Sequence, residues 1–325
     1  MKDRKRPKLK PLFLEGMQKL LPDKKDYEKY IEILKVEPVR SIRCNTLKIS
    51  PKDLKKRLEK KSWKISQPWK NFEEVMVVEN ELEPGELGRA IEHLLGYYYI
   101  QELASMLPIL VLNPKPGESF LDLCAAPGSK TTQAAARMEN SGNIIANEVN
   151  IGRLRILASN LERCGAANVV ITRKDGCALC QRLNKFNPDF KFDKILVDAP
   201  CSGEGTLRSS PKTYSMWNIN TIKNLPKIQL GLFKSAFEVL KVGGEVIYST
   251  CTHAPEENEG VVDAILKEFG DRIEILKVKL PFTAREGITE WEGKDFDKRV
   301  KNCARVYPHD NNTEGFFVSK FKRVK

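Results

Sequence analysis

Apolar and polar positions follow two different rhythms along the chain. In the first third, residues 11–36 carry apolar positions at helical spacing, whereas residues 41–49 alternate like a strand. Residues 51–61 predict a helix opened by Ser50, and residues 72–78 predict a return to strand. We therefore predict a small α+β unit at the start of the chain.

From about residue 101 onward, short apolar runs alternate with helical stretches. This strand-loop-helix repeat predicts an α/β fold, a mostly parallel sheet with right-handed crossovers and helices on both faces. We place the domain boundary between residues 1–100 and 101–325. The predicted strands are 119–123, 143–146, 169–172, 194–197, 245–248 and 316–321. The predicted helices lie near 130–140, 150–164, 221–241 and 256–269.

The distribution of charge changes the picture of the first domain. The chain of 325 residues has a net charge of +12, and residues 1–70 hold 22 Lys and Arg against nine Asp and Glu. The basic runs MKDRKRPKLK and LKKRLEKK predict a surface that neutralises the phosphates of a nucleic acid. The alternative is a solvated helix face that serves only solubility.

Composition also bears on location and on metals. No run approaches the roughly 20 apolar residues of a membrane helix, so we expect a cytoplasmic protein without membrane contact. The eight cysteines lack the dense spacing of a disulfide scaffold, and reduced thiols are expected. Cys177 and Cys180 make one C-x-x-C pair, but no second pair lies at metal-ligand spacing, so we expect no bound metal.

A turn of small residues follows the first strand of the predicted sheet and feeds a helix. The first amides of that helix can hold a carboxylate. The turn has neither the G-x-G-x-x-G spacing nor the Walker spacing, which argues against a dinucleotide or a nucleoside triphosphate. The residues of this cradle are Cys124, Ala125, Ala126, Pro127, Gly128, Ser129 and Lys130.

Acidic residues follow the next two strands. Glu148 comes 20 residues after Gly128, the spacing of an acid that accepts hydrogen bonds from ribose hydroxyls. Asp175 follows the third strand, where it could accept from an adenine amino group. Each acid alone could be a helix cap or a solvated loop residue. Together with the cradle they predict S-adenosylmethionine, a nucleoside joined to an amino acid.

Two thiols follow the fourth and fifth strands. A lone Cys at a buried strand end is usually a small core residue, but Cys201 and Cys251 are predicted at one edge, beside Asp198. A helix predicted to begin near Pro255 would favour a thiolate there. Carbon 5 of cytosine accepts a sulfonium methyl only after a thiolate adds to carbon 6, and Asp198 could bind N3 of the ring. Position alone does not order the two thiols.

At this point the chain resembles the RNA cytosine-C5 methyltransferases of the NOL1/NOP2/Sun (RsmB/NOP) family over roughly residues 40–325. The resemblance implies a Rossmann-like class I methyltransferase fold with a mostly parallel seven-stranded sheet, preceded by an RNA-recognition-like domain. The motifs that carry it are IRCNTLKIS from Ile42, GYYYIQELASMLP from Gly96, LDLCAAPGSKT from Leu121, DAPCSGEGT from Asp198, YSTCT from Tyr248, RVYPH from Arg305 and TEGFF from Thr313.

The resemblance also assigns roles to residues. It implies that Cys251 is the attacking nucleophile and that Cys201 helps to release the product. Ser129 stands where many members carry Gly, and Glu148 where many carry Asp, which should affect the affinity for the cofactor rather than its identity. The residues that it assigns to S-adenosylmethionine are the cradle from Cys124 to Lys130 together with Glu148, Arg153, Asp175 and Asp198.

The implied partner is RNA, with tRNA favoured. The segments ISPKDLKKRLE and GYYYIQ are similar to compact archaeal enzymes that methylate tRNA, while RVYPH and TEGFFVSKF also resemble the ribosomal-RNA branch. We expect a monomer. Two other functions stay open: a DNA cytosine methyltransferase that uses the Pro-Cys thiol alone, and a non-catalytic RNA-binding or ribosome-assembly factor that keeps the fold.

Overall fold

Two large β-sheets organise the protein, and the computed structural model describes it over residues 8–325. The basic run at residues 1–10 therefore falls mostly outside the described residues. The described helices are α1 (Pro11–Leu20), α2 (Lys24–Ile33), α3 (Pro51–Glu59), α4 (Glu86–Arg89), α5 (Ile91–Leu94), α6 (Leu103–Leu112), α7 (Ser129–Arg137), α8 (Ile151–Cys164), α9 (Gly176–Phe186), α10 (Pro211–Met216), α11 (Ile219–Glu238), α12 (Glu259–Phe269) and α13 (Pro308–Asn311). The described strands are β1 (Arg40–Cys44), β2 (Ile65–Ser66), β3 (Val75–Val78), β4 (Tyr98–Ile100), β5 (Ser119–Asp122), β6 (Asn143–Asn147), β7 (Val169–Thr172), β8 (Phe192–Asp198), β9 (Leu240–Thr250), β10 (Ile273–Leu276), β11 (Arg285–Glu286), β12 (Glu290–Trp291), β13 (Lys294–Asp295), β14 (Ala304–Val306) and β15 (Phe316–Arg323).

The larger sheet contains all the strands predicted after residue 101. Its order is β11-β14-β15-β9-β8-β5-β6-β7, with β10 beside β15. Strands β5 to β9 pair in parallel, and β15 runs antiparallel to β9. Within residues 8–325 the sheet has nine strands, whereas the sequence located six of them and the family resemblance implied seven. The additional strands come from β10, β11 and β14, which are too short, at two to four residues, to show a strand rhythm in the sequence.

The strand order reverses between β5 and β8. Strands β6 and β7 lie on one side of this pair, and β9 and β15 lie on the other. In open α/β sheets ligands bind beyond the carboxyl ends of the strands at such a reversal. The fold therefore directs attention to the loops that leave β5 and β8.

Helices cover both faces of the larger sheet. Leu121 and Ile195 pack with α9, α11 and α12 on one face, whereas their neighbours Phe120 and Leu196 pack with α6 and α7 on the other. Successive residues of a strand point to opposite faces, so a strand that is buried on both sides reads as a continuous apolar run. None of the described helices is long and apolar enough to cross a membrane.

The smaller sheet forms from the first third of the chain, in the order β2-β3-β1-β4, with every pair antiparallel. Helix α3 begins after Ser50, whose side chain accepts from the backbone N–H of Asp53, as the sequence predicted. Leu54 and Leu58 of this helix are fully buried against the sheet. Strand β4, which sequence reasoning missed, lies in the GYYYIQ motif and pairs with β1.

The first two helices pack away from the smaller sheet. Residues 11–36 were predicted to be helical, and they form α1 and α2. Phe13 and Tyr30 from these helices join a buried cluster with Leu207, Trp217 and Tyr307, which come from the loops and C-terminal segment of the larger sheet. The division into domains 1–100 and 101–325 stays a prediction. Helices α1 and α2 belong to the first of these domains, but they pack against residues of the second.

A buried ion pair fastens β14 to the start of α12. Arg305 donates from Nε and Nη2 to the two carboxylate oxygens of Glu259 at 2.6 and 2.7 Å, and from Nη1 to the backbone oxygen of His253 at 3.0 Å. Both side chains are almost fully buried. Removing one partner would leave an uncompensated charge inside the protein.

We expect Glu259→Ala to lower the free energy of unfolding by about 3–5 kcal/mol, because the Arg305 guanidinium then stays buried without its carboxylate. Urea denaturation measures this loss. Exposed Glu290, replaced by alanine, serves as the control and should change stability by about 0.5 kcal/mol or less. A loss below about 1 kcal/mol for Glu259→Ala would contradict the importance of the pair.

Candidate active site

The carboxyl ends of the five parallel strands meet at one edge of the larger sheet. The loops that leave β5 and β8 are neighbours, with those after β6 and β7 to one side and that after β9 to the other. Every site residue predicted from the sequence lies at one of these strand ends, in the loop or in the first turn of the following helix. A common edge gives these side chains access to one ligand.

The two thiols lie in direct contact. Sγ of Cys201 is 3.1 Å from Sγ of Cys251, and both residues are partly exposed. Their loops are tied together, because the hydroxyls of Ser202 and Thr252 lie 2.7 Å apart and the backbone N–H of Gly205 donates to the backbone oxygen of Cys251. Both sulfur atoms can therefore contact a single ligand.

The thiol of Cys201 has an unusual environment. Its hydrogen bond with Cys251 and its burial raise the pKa of Cys201 well above the usual value of a thiol. Either sulfur can donate the hydrogen bond that joins the two thiols.

Asp198 and Lys130 form the charged part of the site. Nζ of Lys130 lies 2.8 Å from Oδ2 of Asp198 and donates to the hydroxyl of Ser105 at 3.1 Å. Oδ1 of Asp198 accepts from the hydroxyl of Ser249 at 2.7 Å. Burial alone would lower the pKa of Lys130, but the charge and hydrogen bond of Asp198, together with the nearby charge of Asp122, outweigh it, so the pKa is raised and the ammonium stays charged. The sequence placed Lys130 in the cofactor cradle, and the structure shows its ammonium beside Asp198.

The turn after β5 is held rigidly above the sheet. Gly128 adopts a φ of 101°, a conformation that other residues rarely adopt, and a Cβ there would lie 3.0 Å from Cδ1 of Leu157. The backbone N–H of Ala125 donates to the backbone oxygen of Asn147 at 2.8 Å. Burial raises the pKa of the Cys124 thiol, so this cysteine is a neutral part of the turn.

Asp122, the last residue of β5, lies two residues before the cradle and was not singled out from the sequence. Oδ2 accepts from the hydroxyl of Thr131 at 2.7 Å, while the other oxygen, Oδ1, is buried without a partner among the described residues. Burial raises the pKa of Asp122 to about 7. An unpartnered oxygen at this depth is an acceptor available to a ligand.

Glu148 and Arg153 connect the second strand end to the cradle. Oε1 of buried Glu148 accepts from the backbone N–H of Asn150 at 2.8 Å, and Oε2 lies 3.3 Å from Nη1 of Arg153. Arg153 also donates from Nη2 to the backbone oxygen of Ala126 at 2.5 Å. The structure thus brings the predicted ribose acid, Arg153 and the cradle into one network.

Asp175 takes the place of a helix cap. Its Oδ1 accepts from the backbone N–H of Ala178 at 3.0 Å at the start of α9, a helix that sequence reasoning missed. Capping was the alternative reading for this acid, and no described side chain links it to the other site residues. A contact between Asp175 and adenine stays a prediction.

Two further residues support the site but were missed. Asn147 donates to the backbone oxygens of Leu123 and Lys174 at 3.1 and 3.0 Å, which fixes three adjacent strand ends relative to one another. Arg43 on β1 is buried and donates to the backbone oxygen of Ser129 at 2.7 Å. A polar residue at the end of an apolar run is the signal that could have identified Asn147.

The predicted helix near Pro255 starts later than expected. Helix α12 begins at Glu259, because Asn258 is engaged with the loop: its Oδ1 accepts from the hydroxyl of Thr250 at 2.6 Å and its Nδ2 donates to the backbone oxygen of Thr252 at 3.0 Å. The helix begins four residues after Pro255, and its capping residue contacts both neighbours of Cys251, so a helix dipole that favours a thiolate there stays a prediction. The ammonium of Lys130 belongs to the same site, and a negative charge on Cys251 would raise the pKa of Lys130.

One cluster away from this edge has metal-ligand geometry. Asp26, His309 and Asp310 could share an ion among the residues that the structure describes. The guanidinium of Arg285 lies among them, with Nη2 2.7 Å from Oδ1 of Asp26 and 2.9 Å from Oδ1 of Asp310. The arrangement is an ion-pair network between α2 and the C-terminal segment.

The fold and its strand-end site define a Rossmann-like class I methyltransferase. A family model described as 16S rRNA methyltransferase RsmB/F matches residues 109–322, and one described as the N-terminal domain of 16S rRNA methyltransferase RsmF matches residues 9–103. The chain belongs to this RsmB/F methyltransferase family. The family resemblance that the motifs predicted is confirmed.

The curated relatives fall into two groups. A tRNA (cytosine(49)-C(5))-methyltransferase of Pyrococcus abyssi is 40% identical over 306 residues, which cover 94% of each chain. A ribosomal RNA small subunit methyltransferase F of Vibrio cholerae is 37% identical over 316 residues, which cover 96% of this chain but 63% of the relative. The chain thus spans nearly the whole archaeal relative and less than two thirds of the bacterial one.

Solved structures agree with the fold. A methyltransferase homologue from Pyrococcus horikoshii has a TM-score of 0.80 at 35% identity, covering 97% of this chain and 100% of that one. NSun6 from the same organism, solved with SFG, has a TM-score of 0.80 at 26% identity, covering 97% and 98%. The predicted fold class is confirmed.

Proposed function

We propose that this protein transfers a methyl group from S-adenosylmethionine to carbon 5 of cytosine in RNA, with tRNA as the favoured substrate. The observation that carries the proposal is the pair of thiols 3.1 Å apart, beside the ion pair of Asp198 and Lys130. An ordinary methyltransferase site has no need of two adjacent sulfur atoms. A pyrimidine that must be attacked and then released makes use of both.

The strand ends fit the proposed cofactor. The first amides of α7 and the unpartnered Oδ1 of Asp122 offer donors and an acceptor for an amino acid, and buried Glu148 offers an acceptor for a ribose. The relative solved with SFG, an analogue of S-adenosylmethionine, supports this choice. When bound, S-adenosylmethionine supplies a methyl group on a positively charged sulfur.

The cysteines then have distinct roles. Sγ of Cys251 bonds to carbon 6 of cytosine as a thiolate, and the electron pair of the ring double bond makes carbon 5 nucleophilic. Asp198 and Lys130 lie where they can bind the ring edge and stabilise the charge that develops there. After methylation Sγ of Cys201, having lost its own proton to solvent, takes the proton from carbon 5. The electron pair of that C–H bond restores the double bond, and the bond between carbon 6 and Cys251 breaks with its electron pair going to the Cys251 sulfur. We assign assistance of this release to Cys201.

The order of the two thiols rests on the family resemblance, because either sulfur can donate the hydrogen bond between them. The ammonium of Lys130, beside Asp198, supplies a positive charge to the same site, and a positive charge favours the thiolate form of a cysteine.

The choice of tRNA rests on the similarity to the archaeal relative over nearly its full length. The alternative substrate is ribosomal RNA, the target named for the bacterial relatives, which are longer. The target cytosine must leave any base stack to reach the thiols. Which cytosine it is does not follow from the residues of the site.

A transfer assay tests the function. We expect tritiated methyl groups from S-adenosylmethionine to enter tRNA, and bisulfite sequencing of total RNA with and without the gene to reveal the modified cytosine. Preferential labelling of small-subunit ribosomal RNA would favour the alternative substrate. Labelling of DNA but not RNA would support a DNA methyltransferase, and no labelling of any nucleic acid would support a non-catalytic factor.

The smaller sheet and α3 supply the proposed RNA-binding surface. Lys52, Lys56 and Lys60 are exposed and make no ion pair in the described part of the chain. Arg57 and Lys61, by contrast, both pair with the buried carboxylate of Glu92. The structure therefore separates the basic residues that are available to phosphates from those that hold the helix in place.

Replacing Lys52, Lys56 and Lys60 together with alanine is expected to weaken RNA binding. The slope of log K against log salt concentration should fall by roughly two to three if each lysine contacts a phosphate. Filter binding at several salt concentrations measures both effects. The matched control replaces three other exposed lysines, Lys115, Lys185 and Lys322. They lie at the edge of the larger sheet opposite the candidate active site. Equal slopes for the two triple variants would show that α3 is only a solvated face.

A further inference from the structure

A buried carboxylate and a buried amide lie beneath the loop that carries Cys201. Gln229 on α11 donates from Nε2 to the backbone oxygen of Pro200 at 3.0 Å and to Oε2 of Glu257 at 2.8 Å. The same Oε2 accepts from the backbone N–H of Ser202 at 3.1 Å. The pair therefore fixes the backbone immediately before and immediately after Cys201.

Glu257 is itself held in place from below. It is fully buried, and its backbone oxygen accepts from the hydroxyl of Tyr248 at 2.5 Å. Tyr248 lies on β9, directly before Ser249, the residue that donates to Asp198. Two adjacent residues of β9 thus hold Glu257 and Asp198 in place.

The carboxylate is costly for the fold. Oε1 of Glu257 has no partner among the described residues, and burial raises the pKa of this group to about 7. A buried polar atom without a partner destabilises a protein, so an apolar residue would serve packing better. Its other oxygen, Oε2, accepts two hydrogen bonds, one from the backbone N–H of Ser202 and one from Gln229, and both hold the Cys201 loop. The cost is therefore explained by a role at that loop.

We propose that Glu257, together with Gln229, is a positioning residue that holds the Sγ atom of Cys201 beside that of Cys251 and so determines the rate of product release. The inference rests on the proposed function. It concerns the geometry of the loop: the two hydrogen bonds accepted by Oε2 are the feature that matters. An amide at the same position can accept both of them, whereas a methyl group can accept neither.

The test is the release step of the reaction. We expect Glu257→Ala to accumulate a denaturant-resistant protein–RNA adduct on a tRNA transcript that the wild type methylates, with release slowed roughly 10- to 100-fold by misplacement of Cys201. Glu257→Gln should release product within about threefold of the wild-type rate, because its amide oxygen keeps the two contacts. A residue that only stabilises the fold would reduce adduct formation and turnover together.

The controls separate this inference from the proposed function. Glu256→Ala removes the carboxylate next to Glu257 in the sequence. Glu256 accepts a hydrogen bond from the indole of Trp291, so this variant should release the methylated RNA at the wild-type rate. Thermal unfolding and cofactor binding report whether each variant is folded. If Glu257→Ala does not fold, Gln229→Met, which removes both donated hydrogen bonds, is measured in its place with the same expectation.

The outcomes are distinct. A folded Glu257→Ala or Gln229→Met protein that releases at the wild-type rate, or that forms no adduct, overturns the inference when Cys201→Ala does accumulate adduct. A Glu257→Gln protein that retains adduct as strongly as Glu257→Ala overturns it as well. If the wild type transfers no methyl group and Cys201→Ala forms no adduct, the proposed function fails and the inference fails with it.

Discussion

Cys251→Ala is expected to lose methyl transfer by roughly 10⁴-fold or more, because removal of a covalent nucleophile leaves only binding and electrostatic contributions. The variant should still bind cofactor and RNA, since Cys251 belongs to neither proposed surface. It should also form no covalent adduct with RNA. Single-turnover transfer of tritiated methyl groups measures the loss.

Cys177→Ala is the matched control for this variant. Cys177 is a partly buried thiol on α9, the helix that follows β7, whereas the thiol pair follows β8 and β9. Its replacement should leave methyl transfer near the wild-type rate. An active Cys251→Ala protein together with an inactive Cys201→Ala protein that traps no RNA would reverse the assignment and favour the DNA-type reaction through the Pro-Cys thiol.

Cys201→Ala is expected to give the opposite phenotype, a stable protein–RNA adduct. Cys251 can still attack and the ring can still be methylated, but the release step lacks its assisting thiol. The adduct should persist in denaturant and appear as a shifted band on a gel, with turnover reduced by roughly 10²-fold or more. A double variant that lacks both thiols should show no shifted band.

The adduct must depend on each component of the reaction. Omission of S-adenosylmethionine should reduce the stable adduct, since an unmethylated ring can expel Cys251 by reversal of the attack. A Cys201→Ala protein that turns over at the wild-type rate would contradict the two-thiol scheme. So would a band of equal intensity from Cys251→Ala.

The parallel strands could be predicted because each is buried on both faces. A continuous apolar run such as residues 119–123 or 194–197 has few other interpretations when a turn and a helix follow it, and β5 and β8 lie where the runs indicated. The functional edge followed from the same argument, since the carboxyl ends of parallel strands coincide. The contact between Cys201 and Cys251 is a consequence of β8 and β9 being neighbours.

The elements that were missed have weaker local signals. Helix α9 begins at Gly176 and is capped by Asp175, which was interpreted mainly as a ligand although a helix cap was the stated alternative. Strand β4 has three residues, and its identity depends on pairing with β1 rather than on its own pattern. The early end of β1 at Cys44 likewise reflects pairing, because alternation in the sequence continues beyond it.

The supporting residues could not be predicted because their partners are distant in sequence. Glu257 and Gln229 come from different segments and meet only when α11 packs against the sheet. The ammonium of Lys130 lies beside Asp198, although the sequence grouped Lys130 with its neighbours in the cradle. Buried polar contacts of this kind are set by the tertiary fold, and no spacing rule describes them.

The central claim is that a thiolate of Cys251 bonds to carbon 6 of a cytosine in RNA. Its most direct test is mass spectrometry of the adduct formed by Cys201→Ala, after digestion with nuclease and protease. We predict that the peptide containing Cys251 carries a methylated cytidine nucleotide. A nucleotide on any other residue, or an unmodified Cys251 peptide from the shifted band, would contradict the account.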